Sequence, residues 1–251
     1  MQSRLRFFAL HLLGSASVLT LVLGGLYLGW YRWPGWYLSS ALHIVGIVVL
    51  VDLVVGPTLT LIVANPRKPR RMLARDIAMI VTVQIVALIY GAATLWGGRP
   101  LYYTFSSDRL EFVQASDLQS DEIAVARREN PSLAPHWYSL PRWVWAPLPD
   151  DSDKAMQIVQ GSVFGSGKDV IDMPRYFKPW EAGLPKLSAQ LMRLDDIRYF
   201  SKKEKQSLRT LLEQQGLAPD KRNALTMWGA GRRVLAVFDP DTLQIQAIFK
   251  P

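Results

Sequence analysis

Cysteine is absent from the 251 residues, which excludes disulfides, thiolate metal sites and a cysteine nucleophile. Histidine is scarce: His11 and His43 fall in the first, mostly apolar part, leaving His136 alone in the second. A multi-histidine metal site is therefore excluded there. Negative charge is the third scarcity. Residues 1 to 97 hold eight Lys/Arg against two carboxylates, Asp52 and Asp76, a balance of +6; the remaining 21 Lys/Arg and 19 Asp/Glu leave only +2. A basic chain of this kind invites a nucleic-acid reading. Here the excess sits beside long apolar runs, so no nucleic-acid partner is expected.

Three such runs are present. Residues 7–30 and 77–96 carry no Asp, Glu, Lys or Arg, and residues 41–64 carry one, Asp52. At about 1.5 Å per residue each can cross a hydrocarbon core of roughly 30 Å. A signal peptide is the rival reading of the first run, but such a core is shorter, about 7 to 15 residues, and ends in small residues. This one ends in Leu26-Tyr-Leu-Gly-Trp30, so a retained span is expected. The connection between the second and third runs carries Arg67, Lys68, Arg70, Arg71 and Arg75, whereas the first connection carries only Arg32. The positive-inside rule then places the N-terminus and second connection in the cytoplasm and residues 98–251 outside. Trp30, Trp33, Trp36 and Trp96 all fall at the expected outer interface, where amphipathic rings settle. The basic connection could also bind anionic lipid headgroups, although setting topology explains it sufficiently.

The second run is the unusual one. Its single carboxylate, Asp52, lies about 18 Å up from the cytoplasmic end, a depth at which an ionisable group needs an internal partner or a function. Gly56 follows four residues later and leaves room on the same face for a neighbouring helix. Pro57 cannot donate to the Leu53 carbonyl, so a kink or a freed carbonyl is expected one turn from Asp52. Thr20 and Tyr90 reach similar depths and Gln84 lies lower; a Tyr90 hydroxyl or Gln84 amide donating to Asp52 would offset part of its burial cost. Asp52 then either locks the three helices together or receives a polar group from a partner's transmembrane helix. Gly25-x-x-x-Gly29 and Ala93-x-x-x-Gly97 are expected small-residue contacts within the bundle. His11 and His43, near the two interfaces, read as snorkelling or capping residues.

Beyond Pro100 the pattern is that of a mixed α+β domain of about 150 residues, enough for its own core. Strands are expected at 101–105, 109–114, 142–146, 224–228, 234–238 and 243–249. Helices are expected at 118–129, capped by Ser116 or Asp117, and at 151–162, 184–194 and 202–216. Gly165-Ser-Gly-Lys168 lacks the first glycine and the Ser/Thr of a phosphate loop. No Gly-x-Ser-x-Gly elbow is present. The fold class is thus a three-helix membrane bundle, residues 1–97, followed by a periplasmic α+β domain, residues 98–251. No enzyme activity, cofactor, metal or small-molecule substrate is expected, and the bilayer is one partner.

Val51-Asp-Leu-Val-Val-Gly-Pro-Thr-Leu-Thr-Leu-Ile-Val-Ala-Asn-Pro-Arg-Lys68 resembles the second span of the TfpX/TfpZ-type type IV pilin accessory proteins. So do Asp76…Gln84…Ala87-Leu-Ile-Tyr-Gly91 and Arg99-Pro-x-Tyr-x-x-Phe105-x-x-Asp-Arg109. The resemblance is strong over about residues 40 to 112; beyond these it rests on layout and a terminal hairpin. It implies a Gram-negative inner-membrane protein that assists assembly or stability of a major type IV pilin, its suspected partner, and it supplies no catalytic residues. Asp52, Gly56, Pro57, Gln84 and Tyr90 are the candidate partner-binding or bundle-locking residues. The alternatives are a pilin-independent membrane-anchored scaffold or sensor, and a membrane-anchored enzyme dependent on a residue such as His136 or Asp169.

Overall fold

In a computed structural model, which describes residues 2–39, 41–65, 68–164 and 168–251, the chain divides into two compact units, Met1–Arg99 and Pro100–Pro251. The first contains three helices long and apolar enough to cross a membrane, the layout of a multi-pass inner-membrane protein. They are α1 (Gln2–Gly29), α2 (Ala41–Val63) and α3 (Arg70–Gly97). Most of their side chains point outward: Leu10, Leu21, Ile47, Ile62, Val83 and Ile89 are all exposed apolar groups. This inverted pattern suits a hydrocarbon solvent, where backbone polar groups are satisfied inside each helix. The basic connection is closed at one point by Lys68 Nζ donating to Asp76 Oδ2 at 2.8 Å; Arg67 lies outside the described residues.

At the other end of the bundle the aromatics assemble. Trp30 meets Trp96 edge to face, with ring centroids 4.9 Å apart. Tyr31, 5% exposed, donates its hydroxyl to the Leu95 carbonyl at 2.7 Å. That carbonyl belongs to the last turn of α3, where no residue of the same helix supplies a donor. Arg99 lies over the Trp96 ring and donates Nη1 to the Trp96 carbonyl at 2.8 Å.

The second unit is built on a curled sheet. Its strands are β1 (Pro100–Ser106), β2 (Arg109–Gln114), β3 (Arg142–Trp145), β4 (Lys178–Pro179), β5 (Ala224–Gly229), β6 (Arg232–Phe238) and β7 (Ile245–Phe249). They run in the order β4-β3-β1-β2-β5-β6-β7. The pairs β1/β3 and β2/β5 are parallel and the other pairs antiparallel. The helices are α4 (Ser120–Glu129), α5 (Ser152–Val163), α6 (Trp180–Gln190) and α7 (Lys202–Gln214). One half of the core joins Tyr102, Val113 and Val144 of the sheet to Ile158 of α5, together with Leu118 and Phe177. The other half joins Leu235, Val237 and Phe249 to Leu208 and Leu212 of α7, residues spaced four apart on one helical face.

Local sequence explains most element ends. Asp151 accepts from the backbone of Asp153 and Lys154 and starts α5. Ser201 and Glu204 form a reciprocal cap for α7, and Gly216 follows its end at φ +70°, a conformation that costs a glycine nothing. Two expectations shift. Asp117 does not cap α4; its Oδ2 accepts from the Gln114 backbone at 2.8 Å and closes a short 3-10 turn over Ala115–Asp117. Helix α6 starts at Trp180 rather than at 184 and stops at Gln190. It stops there because the Met192 backbone pairs in both directions with Ala224, which draws the chain into an extended course. Within α6, Gly183 stands where a Cβ would press into the Trp145 ring, so this glycine sets how closely α6 can lie on the sheet.

Candidate intramembrane site

The polar residues of the spans gather around a local irregularity in α2. Residues Leu50–Val55 form a π-helical turn between α-helical segments Ala41–Val49 and Gly56–Val63. In this turn the Gly56 N–H bonds to the Val51 carbonyl, five residues back. The Asp52 carbonyl would by the same pattern take the N–H of residue 57, but that residue is proline and has none. The Asp52 carbonyl is therefore left without a donor from its own helix. Its donor comes from another helix: Gln84 Nε2 donates to the Asp52 carbonyl at 3.1 Å. Gly56 makes that approach possible, since a Cβ there would overlap the Gln84 carboxamide.

The Gln84 side chain is in turn fixed by α1. With its amide nitrogen committed as donor, its Oε1 accepts from His11 Nε2–H at 2.6 Å, and His11 Nδ1 lies 2.5 Å from the Thr60 hydroxyl oxygen. One chain of hydrogen bonds thus joins all three spans: α1 through His11, α2 through Thr60 and the Asp52 carbonyl, α3 through Gln84. Thr60 is 1% exposed and Gln84 7%. Sequence reasoning anticipated Gln84 beside Asp52 but assigned His11 to the interface and passed over Thr60. The signal available was chain position: Thr60 lies eight residues from Asp52, about two helical turns, on the buried face of α2.

The Asp52 carboxyl lies at the edge of this chain of bonds, with the Gln84 side chain as a hydrogen-bond neighbour and His11 close enough to act on its charge. It is 4% exposed, and its Oδ1 has no hydrogen-bond partner among the described residues. It lines a groove of about 500 Å³ with His11, Gly14 and Val18 of α1 and Val81 and Gln84 of α3. The groove lies between α1 and α3, with α2 as its floor.

Tyr90 does not reach this site. It is 75% exposed on the outer face of α3, and Thr20 is exposed as well, so neither supplies a donor to Asp52. The anticipated small-residue contacts are also displaced. A Cβ at Gly25, Gly29 or Gly97 would touch nothing within 4 Å, whereas one at Gly91 would overlap Val48. The close helix approaches are therefore made at Gly56 and Gly91.

Among its described residues the outer unit brings together no comparable constellation. His136 stacks on Tyr138 with centroids 5.4 Å apart. Asp169 caps a 3-10 turn over Val170–Asp172 and stands 3.9 Å from Arg109. Residues Gly165 to Gly167 of the glycine-rich segment lie outside the described residues; Lys168 at its end pairs with Asp121 and Glu122. Among the described residues no group of His, Cys, Asp or Glu could hold a metal ion. Carboxylates do cluster beside β2. Burial pushes the Asp172 carboxyl up to about 6, and the charges of Asp169, Asp117 and Glu111 act in the same direction.

Comparison with known proteins finds relatives among fimbrial assembly proteins. The chain is 25% identical over 213 residues to "Fimbrial assembly protein, serogroup I" of Dichelobacter nodosus, covering 83% of this chain and 79% of that protein. It is likewise 25% identical over 215 residues to the serogroup E1 protein of the same organism. Against the protein of serogroups C1 and C2 it is 28% identical over 117 residues, 47% of this chain and 89% of that protein. No family model and no solved structure matches the chain. It is a membrane-anchored homologue of fimbrial assembly proteins.

Proposed function

We propose that this chain is a non-enzymatic accessory of type IV pilus biogenesis, of the TfpX/TfpZ type, acting on a major pilin in the inner membrane of a Gram-negative bacterium. The observation that carries the reading is the extent of the likeness to the serogroup I fimbrial assembly protein, 83% of this chain, too long to fall within either unit alone. The N-terminus and the basic connection face the cytoplasm, and residues 98–251 lie in the periplasm. Pilin awaits assembly as a membrane-held protein, and the helix bundle described above offers it a lateral contact inside the bilayer.

The test is deletion of the gene with complementation, reading surface pili and membrane-retained pilin separately. Surface pili falling while unassembled pilin persists would place the protein at extraction or assembly. Loss of the membrane pool as well would make it a pilin stabiliser. Unchanged amounts of both would refute the pilus reading.

A further inference from the structure

The Asp52 carboxylate is only partly engaged by the bundle, with the Gln84 side chain and His11 beside it. The Asp52 backbone carbonyl, Gln84, His11 and Thr60 satisfy one another, yet Oδ1 is buried with no donor among the described residues. A buried carboxylate oxygen without a donor is costly, and apart from His11, Ser15, Thr60 and Gln84 the groove it lines is walled by apolar and small residues. From Phe7 to Val18 on α1 and from Ile77 to Leu88 on α3 the walls run about three helical turns. That is the length of a helix segment rather than of a small ion site.

We infer that the groove between α1 and α3 seats one face of an apolar transmembrane helix from another polypeptide, a helix that presents a cationic nitrogen to Asp52 Oδ1. Charge complementarity selects the cation. Depth selects the polypeptide: Asp52 is the twelfth of the 23 residues of α2, so it sits in mid-membrane. A phospholipid amine stays at the interface, about 15 Å away in a bilayer core of roughly 30 Å, and cannot reach it. A peptide can place an ammonium at any depth along its helix. The hydrogen bonds from His11 through Gln84 hold the floor and both walls in place before the helix arrives, which lowers the ordering cost of binding. The inference rests on the pilin reading only for the identity of that polypeptide, and its test separates the two.

The full-length protein in phosphatidylcholine nanodiscs would be titrated with a labelled 22-residue Leu/Ala helix carrying one central lysine, and with the same helix carrying norleucine there. The lysine peptide should bind at least tenfold tighter to the wild type, and the preference should vanish in Asp52→Asn. Equal binding of the two peptides to the wild type overturns the inference, and because the protein is unaltered in that comparison, misfolding cannot account for it. In cells, a photo-crosslinking residue at Val81 should then trap a membrane polypeptide in an Asp52-dependent manner. A pilin adduct supports both readings. An adduct with a different helix bearing a mid-membrane cation supports the groove and removes pilin as its occupant. An adduct only with lipid or with a second copy of the chain refutes the groove proposal, while a piliation defect in the deletion strain would leave the pilus reading standing.

Discussion

Gly56 and Gln84 form a lock whose parts can be separated by mutation. Gly56→Ala forces a methyl group into the Gln84 carboxamide and should cost about 1–3 kcal/mol, measured as a lowered midpoint of thermal unfolding in detergent. Placed in a Gln84→Ala background, the same substitution should cost clearly less, because the two side chains compete for one space. Equal costs in both backgrounds would show that the glycine serves something other than the Gln84 contact. A second residue-scale prediction concerns Asp172, whose carboxyl is raised to about 6 from an ordinary 3.8. The folded protein holds that proton more tightly than the unfolded chain does. The resulting stabilisation is fully present below about pH 4 and is lost as pH rises through about 6. Asp172→Asn should therefore raise stability at pH 7.5, by about 1 kcal/mol once solvent screening of this half-exposed group is allowed for, and change it little at pH 4. Unfolding midpoints of the full chain at the two pH values would show the difference.

At the scale of elements, α2 is organised by Pro57. Replacing it with alanine supplies the N–H that the Asp52 carbonyl lacks, so Gln84 becomes dispensable: Gln84→Ala should destabilise the parent protein more than it destabilises the Pro57→Ala variant. Amide exchange at residue 57 in the variant would report the new bond directly. Much of this element was legible in advance, because an apolar run of the right length, one carboxylate and a Gly-Pro pair are visible in the sequence alone. The π turn was not. Periodicity arguments assume 3.6 residues per turn, and so do not point to the Asp52 carbonyl, five residues before Pro57, as one that loses its donor. Tyr90 and Thr20 were misplaced for a related reason, since depth along a helix is readable from residue number but the face it presents depends on how neighbouring helices rotate. His11 was missed because its position near a helix end suggests water, whereas α1 packs so that its ring turns inward between Thr60 and Gln84. In the outer unit the turn chemistry of Asp151, Ser201 and Gly216 was readable because it is local. The stop of α6 was not, since it depends on pairing between Met192 and Ala224, 32 positions apart.

At the scale of the whole molecule, the absence of cysteine turns topology into a direct measurement. Single cysteines placed at Arg71 and at Ser107, both exposed, can be labelled without a background from the chain itself. With a membrane-impermeant maleimide added to spheroplasts, residue 107 should react and residue 71 should not until the membrane is opened. The reverse pattern would invert the orientation drawn from the basic connection.

The π turn in α2 can also be viewed as the trace of a one-residue insertion. A turn of this type absorbs an extra residue without rotating the helix on either side of it, so Val48 keeps facing Gly91 while Thr60 keeps facing His11. Shortening the chain by one residue at Val54 should let α2 close as an uninterrupted α-helix with both faces still in phase. One-residue deletions in α1 or α3, where no such slack exists, would turn half of each helix by about 100°. The span that holds the carboxylate is thus the one span expected to tolerate the loss of a residue. That loss would restore ordinary helix geometry, yet the proline, now four residues after Asp52, would still leave the Asp52 carbonyl open to Gln84.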